Sequence, residues 1–378
     1  MMRFDSMFDP ATYHETRKPL LRAQTLPSHC YTSPEFFRRE VEAIFSSAWH
    51  FVGREDEIRE TGTYTVIDVQ AGSVIVCRDR SGGLQAFVNA CRHRGTRLKD
   101  GQGRCNRLVC PYHAWTYDLD GSLSATPGFG EPENFNRSEF ALQGVRLENW
   151  GGFLFVNFSA QAPPLLEWIG DMPAVFAAHH PEDLRCTWRK EYLVRANWKF
   201  LIENALEAYH TGTVHGETLG TQNSEFVETR GNWDALYVLG DPSKSIATLP
   251  GENQVFPFVR GLSGKASRGT WFTVVYPGTQ IVFSQDCAWW LDMKPLSVDR
   301  TLVTLGGCFP ASTVAMAGFE QQVTAFYERW STATPEDNQV AEAQQRGHAS
   351  GLGLPGRYSE TEHCVHALDN WVLDQVLD

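Results

Sequence analysis

No apolar run in the chain approaches the ~20 residues that a membrane-spanning helix needs. The opening residues, MMRFDSMFDPATYHETRKP, lack the continuous apolar stretch of a secretory signal. Neither a membrane protein nor an exported one is expected, and the expected location is cytoplasmic. A basic surplus is also missing: 33 Lys and Arg stand against 45 Asp and Glu, a net charge of −12. Binding nucleic acid requires a basic face, so that partner is not expected. Repeats and low-complexity segments are absent, which sets aside solenoids and disordered tails. The nine cysteines are odd in number and irregularly spaced. In a reducing compartment such cysteines read as ligands or packed residues rather than disulfides.

With 378 residues, 42% of them hydrophobic, the chain is long enough for about two domains of ~150 residues. An early helix is predicted over 33–47: Ser33 caps it, Pro34 suits its first turn, and Phe37, Val41, Ile44 and Phe45 share a face. From about Trp49 to Phe158 short β-rich runs dominate, among them TYTVIDV, SVIVCRD, LQAFVNA and GFLFVNF, separated by Gly and Asp-Gly turns. This is an all-β domain, placed at 48–160 and closed by the Pro-rich stretch Ala162–Pro164. The remainder, 161–378, reads as an α+β domain: a helix over Asn197–Ala208, strands over 270–309, and helices over 316–331 and 361–378. Residues 1–47 are expected to pack on that second domain.

Two short motifs in the β domain carry metal-ligand chemistry. Cys91 and His93 lie in NACRHRG, and Cys110 and His113 in CPYHAW: C-x-H, sixteen residues, C-x2-H. Four unconnected residues would rarely fall into two such tight pairs. A structural zinc site also uses two Cys and two His, but usually pairs Cys with Cys and His with His. A Rieske [2Fe–2S] cluster needs two thiolates on one iron and two imidazoles on the other, which suits loops that each mix the two. Cys105 lies between the pairs and reads as a non-ligand. Cys30, Cys77, Cys186, Cys287, Cys308 and Cys364 read as packed residues.

The second motif is NWKFLIENALEAYHTGTVH, from Asn197 to His215. On a continuous helix Glu203, Glu207 and His210 stand at i, i+4 and i+7 and share a face. Gly212 would end that helix, and the chain would fold back to bring His215 beside His210. The bland alternative is a solvated acidic face with a stray histidine pair. A bound cation would relieve the repulsion between the two carboxylates, and two His with one carboxylate leave an iron open to oxygen and substrate.

CPYHAWTYDLDG with the upstream CRH, followed by E-N-x-x-E-x-Y-H-x4-H, resembles the α subunits of Rieske non-haem iron oxygenases over nearly the whole chain. LPSHCYTSPEFF and IFSSAWHFVGREDE resemble the homotrimeric branch, which includes choline, glycine betaine and carnitine monooxygenase-like enzymes. The resemblance implies an N-terminal all-β Rieske domain followed by a helix-grip-like catalytic domain with a central antiparallel sheet. It implies that Cys91 and Cys110 bind one cluster iron and His93 and His113 the other. His210 and His215 would bind a mononuclear Fe(II), with Asp337 of Thr334-Pro335-Glu336-Asp337 as the third ligand and Asp369 and Asp286 in reserve. Without the resemblance, Thr334–Asp337 would read as the start of a helix. Glu207 would bridge His210 to His113 of a neighbouring subunit, and Asn204 would approach the iron. Ala114 departs from the family, where Gly commonly follows the second cluster histidine.

The activity implied is that of a terminal oxygenase taking O2 and electrons from a separate reductase or ferredoxin, working as a ring that is most often a trimer. Oxygen insertion next to nitrogen or oxygen would lead to N- or O-dealkylation. The alternatives are cis-dihydroxylation of an aromatic ring, an electron carrier and, outside enzymes, a zinc-stabilised binding module. Trp271, Phe283, Trp289 and Trp290 are candidates to line a pocket for the small-molecule substrate.

Overall fold

A computed structural model describes residues 7–241, 243–253 and 256–377. The chain divides into two compact units, one spanning Ser46–Leu165 and the other combining Met1–Phe45 with Leu166–Asp378.

The Ser46–Leu165 unit is built from short strands. β1 (His50–Arg54), β10 (Phe153–Asn157) and β9 (Arg146–Trp150) form one antiparallel sheet. β4 (Leu84–Val88), β3 (Gly72–Arg78), β2 (Thr63–Val69) and β5 (Gln102–Arg104) form a second. β6 (Leu108–Val109), β7 (Thr116–Tyr117) and β8 (Leu123–Ala125) form a small third one. The unbroken apolar run in β3 has a physical reason, since successive strand side chains point to opposite faces. Val74 and Val76 enter a core shared with Val52, Leu154 and Val156. Ile75 and Cys77 enter another, which contains Trp115, Tyr117, Cys91 and Cys110.

The second unit is organised by a seven-stranded antiparallel sheet. Its order is β12 (Ser224–Val227), β13 (Trp233–Leu239), β14 (Gly269–Val275), β15 (Thr279–Phe283), β16 (Ala288–Ser297), β17 (Arg300–Pro310) and β11 (Leu184–Val194). The helices that bear on the site are α1 (Pro34–Glu40), α2 (Trp198–Ala205), α3 (Thr211–Val214), α4 (Thr324–Ala349) and α5 (His363–Leu377). α2 lies against β14 and β16, α4 against β11, and α5 against β13. Gly307 of β17 permits the close approach of α4, because a Cβ there would collide with the Trp330 ring. This is the expected α+β arrangement, a central antiparallel sheet held by helices.

Several local expectations change. Ser33 caps α1 as expected, accepting the Phe36 N–H at 3.3 Å. The α-helix stops at Glu40 and the chain continues as a wider π-turn over Val41–Phe45. The helix therefore also buries Phe36 and Glu40, and Glu40 pairs with the buried Lys199 of α2 at 2.5 Å. α2 is shorter than its pattern suggested, and its Asn197 cap accepts the Lys199 N–H at 3.1 Å. α4 begins later than 316 and runs to Ala349, straight through Pro335. Thr334–Asp337 is thus interior, not a helix start.

Candidate metal centres

In the Ser46–Leu165 unit the two Cys/His motifs form twin loops. The Cys91 N–H donates to the Thr96 carbonyl at 2.8 Å, and the Gly95 N–H returns to the Cys91 carbonyl at 2.9 Å. Cys110 repeats the pattern with the Trp115 carbonyl at 2.8 Å and the Ala114 N–H at 3.0 Å. Gly95 and Ala114, each four residues after its cysteine, both adopt left-handed backbone, with φ +72° and +56°. Both cysteines are buried, His93 is half-buried and His113 is exposed. The imidazoles of His93 and His113 meet edge to face with centroids 4.8 Å apart, and His93 stacks on Trp115 at 4.8 Å. Tyr117 accepts the Arg92 N–H at 2.9 Å, which leaves its hydroxyl proton for Cys91 Sγ at 3.2 Å. Cys105, half-buried, packs against the core that contains Cys91 and Cys110, and its main-chain N–H donates to the Gly62 carbonyl.

Among the described residues, only one group of three His, Cys, Asp or Glu side chains places its donor atoms within 4.8 Å of one another, and it is His210, His215 and Asp337. The four Cys/His donors are not such a group. A binuclear cluster spreads four such ligands over two irons, whereas a single tetrahedral ion gathers all four donors around itself.

The single-ion site arises where α2 ends. Leu206 closes the helix, and Glu207 lies beyond it in irregular chain. The Glu207 carboxylate accepts the His210 main-chain N–H at 3.0 Å and meets His210 Nδ1 at 2.5 Å. Held in this way, His210 opens α3, which carries the chain on to His215 at its end. Gly212 is thus inside a helix rather than terminating one. The expected common face of Glu203, Glu207 and His210 does not exist: half-buried Glu203 instead accepts the Tyr31 hydroxyl at 2.7 Å and lies beside Asp369.

α4 supplies the carboxylates. Asp337 Oδ1 lies 3.0 Å from His215 Nε2 and 3.5 Å from His210 Nε2. It is buried and completes no hydrogen bond among the described residues. Glu336, which no spacing in the sequence singles out, meets His215 Nδ1 at 2.6 Å and accepts the Thr218 hydroxyl at 2.8 Å. Each imidazole thus has Nδ1 on a carboxylate and turns Nε2 toward the same Asp337 oxygen. Such outer carboxylates fix the tautomer that offers Nε2 to a metal. Burial works against charge on both histidines, but Asp337 and its neighbours outweigh it, raising His210 to about 9 and His215 above its ordinary value. Burial raises Asp337, while the two imidazoles bring it below the usual carboxylate range. A divalent cation would supply the positive charge that these groups otherwise take from protons. The reserve ligands lie elsewhere: Asp369 accepts the Tyr358 hydroxyl at 2.5 Å, and Asp286 accepts that of Ser245 at 2.8 Å.

A cavity opens on this site. Asn204, His210, His215 and Asp337 line it with Phe272 and Trp289. Of the four aromatic candidates only Trp289 takes part. Trp271 and Phe283 pack on Phe176, and Trp290 is buried beneath Arg189.

Residues 179–378 match the family described as the ring hydroxylating alpha subunit (catalytic domain), and residues 48–138 match the Rieske [2Fe-2S] domain. The chain belongs to the Rieske ring-hydroxylating oxygenase α subunits. It is 30% identical to the glycine betaine monooxygenase oxygenase subunit of Chromohalobacter salexigens, over 93% of this chain and 86% of that one. It is 33% identical to the carnitine monooxygenase oxygenase subunit of Escherichia coli, over 66% of this chain and 65% of that one. The fold matches the crystal structure of a quaternary ammonium Rieske monooxygenase with a TM-score of 0.78 at 25% identity, covering 93% and 95% of the two chains. This Rieske oxygenase is therefore an oxidoreductase of the O2-using class, a terminal oxygenase with a [2Fe–2S] cluster and a mononuclear iron. The zinc-stabilised module and the simple electron carrier fall away, because the second unit is itself the catalytic domain of the family. No helix among the described residues is long and apolar enough to cross a membrane.

Proposed function

We propose that this Rieske oxygenase hydroxylates a carbon attached to nitrogen in a small amine, so that the alkyl group leaves as an aldehyde. The observation that carries the reading is the site itself: two imidazoles and one carboxylate whose donor atoms gather at one point in the wall of a cavity. That donor set suits Fe(II) and leaves coordination positions open. The relatives named as acting on glycine betaine and carnitine support the choice of an N-alkyl substrate.

In this reading His210, His215 and Asp337 hold the mononuclear iron. Cys91 and Cys110 hold one cluster iron, and His93 and His113 the other. When bound, the iron supplies oxygen activation and the cluster supplies electrons from a separate reductase or ferredoxin. Glu207 and Glu336 keep Nε2 of each histidine unprotonated and aimed inward. Asn204 and the cavity wall place the substrate. The exposed imidazole of His113 suits a docking role against a neighbouring copy, with Glu207 the group that receives it, so the working enzyme is a ring, most simply a trimer.

The test is reconstitution with a surrogate reductase and a panel of N-methyl amines and aromatic acids. About three irons per chain are expected, together with amine-dependent oxygen uptake and release of formaldehyde. A cis-diol from an aromatic acid, with no aldehyde from any amine, would overturn the dealkylation reading.

A further inference from the structure

The cavity wall contains a cation that the iron site does not use. Arg329 lies on α4 with Ala333 and Asp337, four and eight residues later on one helical face, and all three line the cavity. Arg329 is 5% exposed. Its guanidinium stands over the Trp289 ring, 5.1 Å from the centroid. Among the described residues no carboxylate pairs with it, and its Nε is buried without a hydrogen-bond partner. Asp337 acts on it electrostatically, but the Asp337 carboxylate oxygen faces the two histidines.

An isolated charge is costly to bury, and a guanidinium left with unused donors is costlier still. Buried arginines are normally paired. A cavity that keeps an unpaired one is built for a ligand that completes the pair. The guanidinium fork matches a planar two-oxygen acceptor, so a carboxylate is the natural occupant. Arg329 also covers the Trp289 face, one of the surfaces on which a bare ammonium could otherwise rest.

We infer that Arg329 is the anion anchor of the cavity, and that the substrate bears a carboxylate which pairs with it while the oxidised N-alkyl end points to His210, His215 and Asp337. This rests on reading the cavity as the substrate site. It makes Arg329 a specificity-determining residue, and amino acids N-alkylated at nitrogen the preferred class over amines of the same shape without the acid. Burial pulls the guanidinium down to about 10, with Asp337 acting in the opposite sense, so it remains charged at neutral pH and available to an anion.

Holoenzyme is titrated calorimetrically with N,N-dimethylglycine, glycine betaine, γ-butyrobetaine and benzoate, each beside its primary amide. At least one carboxylate should bind about tenfold or more tightly than its own amide, the effect of a single charge-assisted hydrogen bond. Arg329→Met should erase that preference and Arg329→Lys should keep part of it. The inference is overturned if no carboxylate binds, if every amide matches its acid, or if the preference survives Arg329→Met. The acid–amide comparison in the unaltered enzyme decides by itself if the Met variant does not fold. Oxygen uptake and aldehyde release are read on the same panel. Carboxylate preference without aldehyde leaves the anchor standing and removes the dealkylation reading. Aldehyde release from acids and amides alike, without tighter binding of any acid, does the reverse.

Discussion

Glu207 holds His210 at two atoms at once, the main-chain N–H and ring Nδ1. One carboxylate therefore sets both where the α3 turn begins and which way the imidazole faces. Glu207→Gln keeps an acceptor oxygen of the same reach but removes the charge. Iron content should stay near that of the unaltered enzyme while turnover falls by about 10- to 100-fold. Iron analysis beside single-turnover oxygen uptake separates the two effects, and near-normal turnover would remove Glu207 from the working site.

Glu336 stands to His215 as Glu207 stands to His210, at 2.6 Å from Nδ1. Glu336→Ala leaves that nitrogen without its carboxylate and frees the ring to rotate. Affinity for Fe(II) at the mononuclear site should drop by about 10- to 100-fold, with the visible absorption of the cluster unchanged. Competition with a graded chelator measures the loss.

Ala114 occupies the position that Gly95 holds in the twin loop, with φ +56°. An L-residue with a Cβ pays about 1–2 kcal/mol for left-handed backbone, part of which glycine returns through its greater freedom in the unfolded chain. Ala114→Gly should stabilise the cluster loops by up to about 1 kcal/mol, seen as slower loss of the visible spectrum in denaturant.

Half-buried Glu203 and buried Asp369 form an acid pair, bounded by the hydroxyls of Tyr31 and Tyr358. Burial is the main cause that lifts both carboxyls well above the ordinary range, with Lys199 opposing it. A carboxyl raised in the folded state holds a proton that the unfolded chain has released. Stability is therefore greatest at or below the ordinary glutamate value and declines as pH climbs toward the raised one. The steepest slope is about 1.4 kcal/mol per pH unit for each group. Glu203→Gln should flatten the decline between pH 5 and 8 in urea unfolding; an unchanged slope would mean that the pair does not titrate there.

The cluster motif was legible because local spacing is its whole content: Cys91, His93, Cys110 and His113 sit on tight loops whose shape depends on few distant residues. The strands of that unit were legible for a similar reason, alternation being a local signal. The iron site was half legible. His210 and His215 lie close in sequence, and their convergence followed from any turn between them. The route was misread, because periodicity carried α2 through Leu206 and a side-chain cap on His210 ended it sooner. Asp337 rested on resemblance, since proline and acidic residues ordinarily mark a helix start. α4 overrides that preference by packing along its length. Its Gln345 reaches the Asn197 N–H at 2.8 Å, and its Glu342 the Arg195 N–H at 3.0 Å. Arg329 was invisible for the same reason. Its place on the same helical face as Asp337 follows only once the helix is known to continue through Pro335.

That continuity gives α4 a second use, as a measuring rod. Each residue advances an α-helix by about 1.5 Å, so the eight residues from Arg329 to Asp337 set their Cα atoms about 12 Å apart along the axis. The gauge has steps, not a sliding scale: adding or deleting one residue between them would turn Arg329 by about 100° away from the cavity. Relatives that oxidise longer or shorter molecules would therefore have to move the anion-binding residue by a whole turn of helix, to the position of Phe326 or Ala333, or supply it from another element.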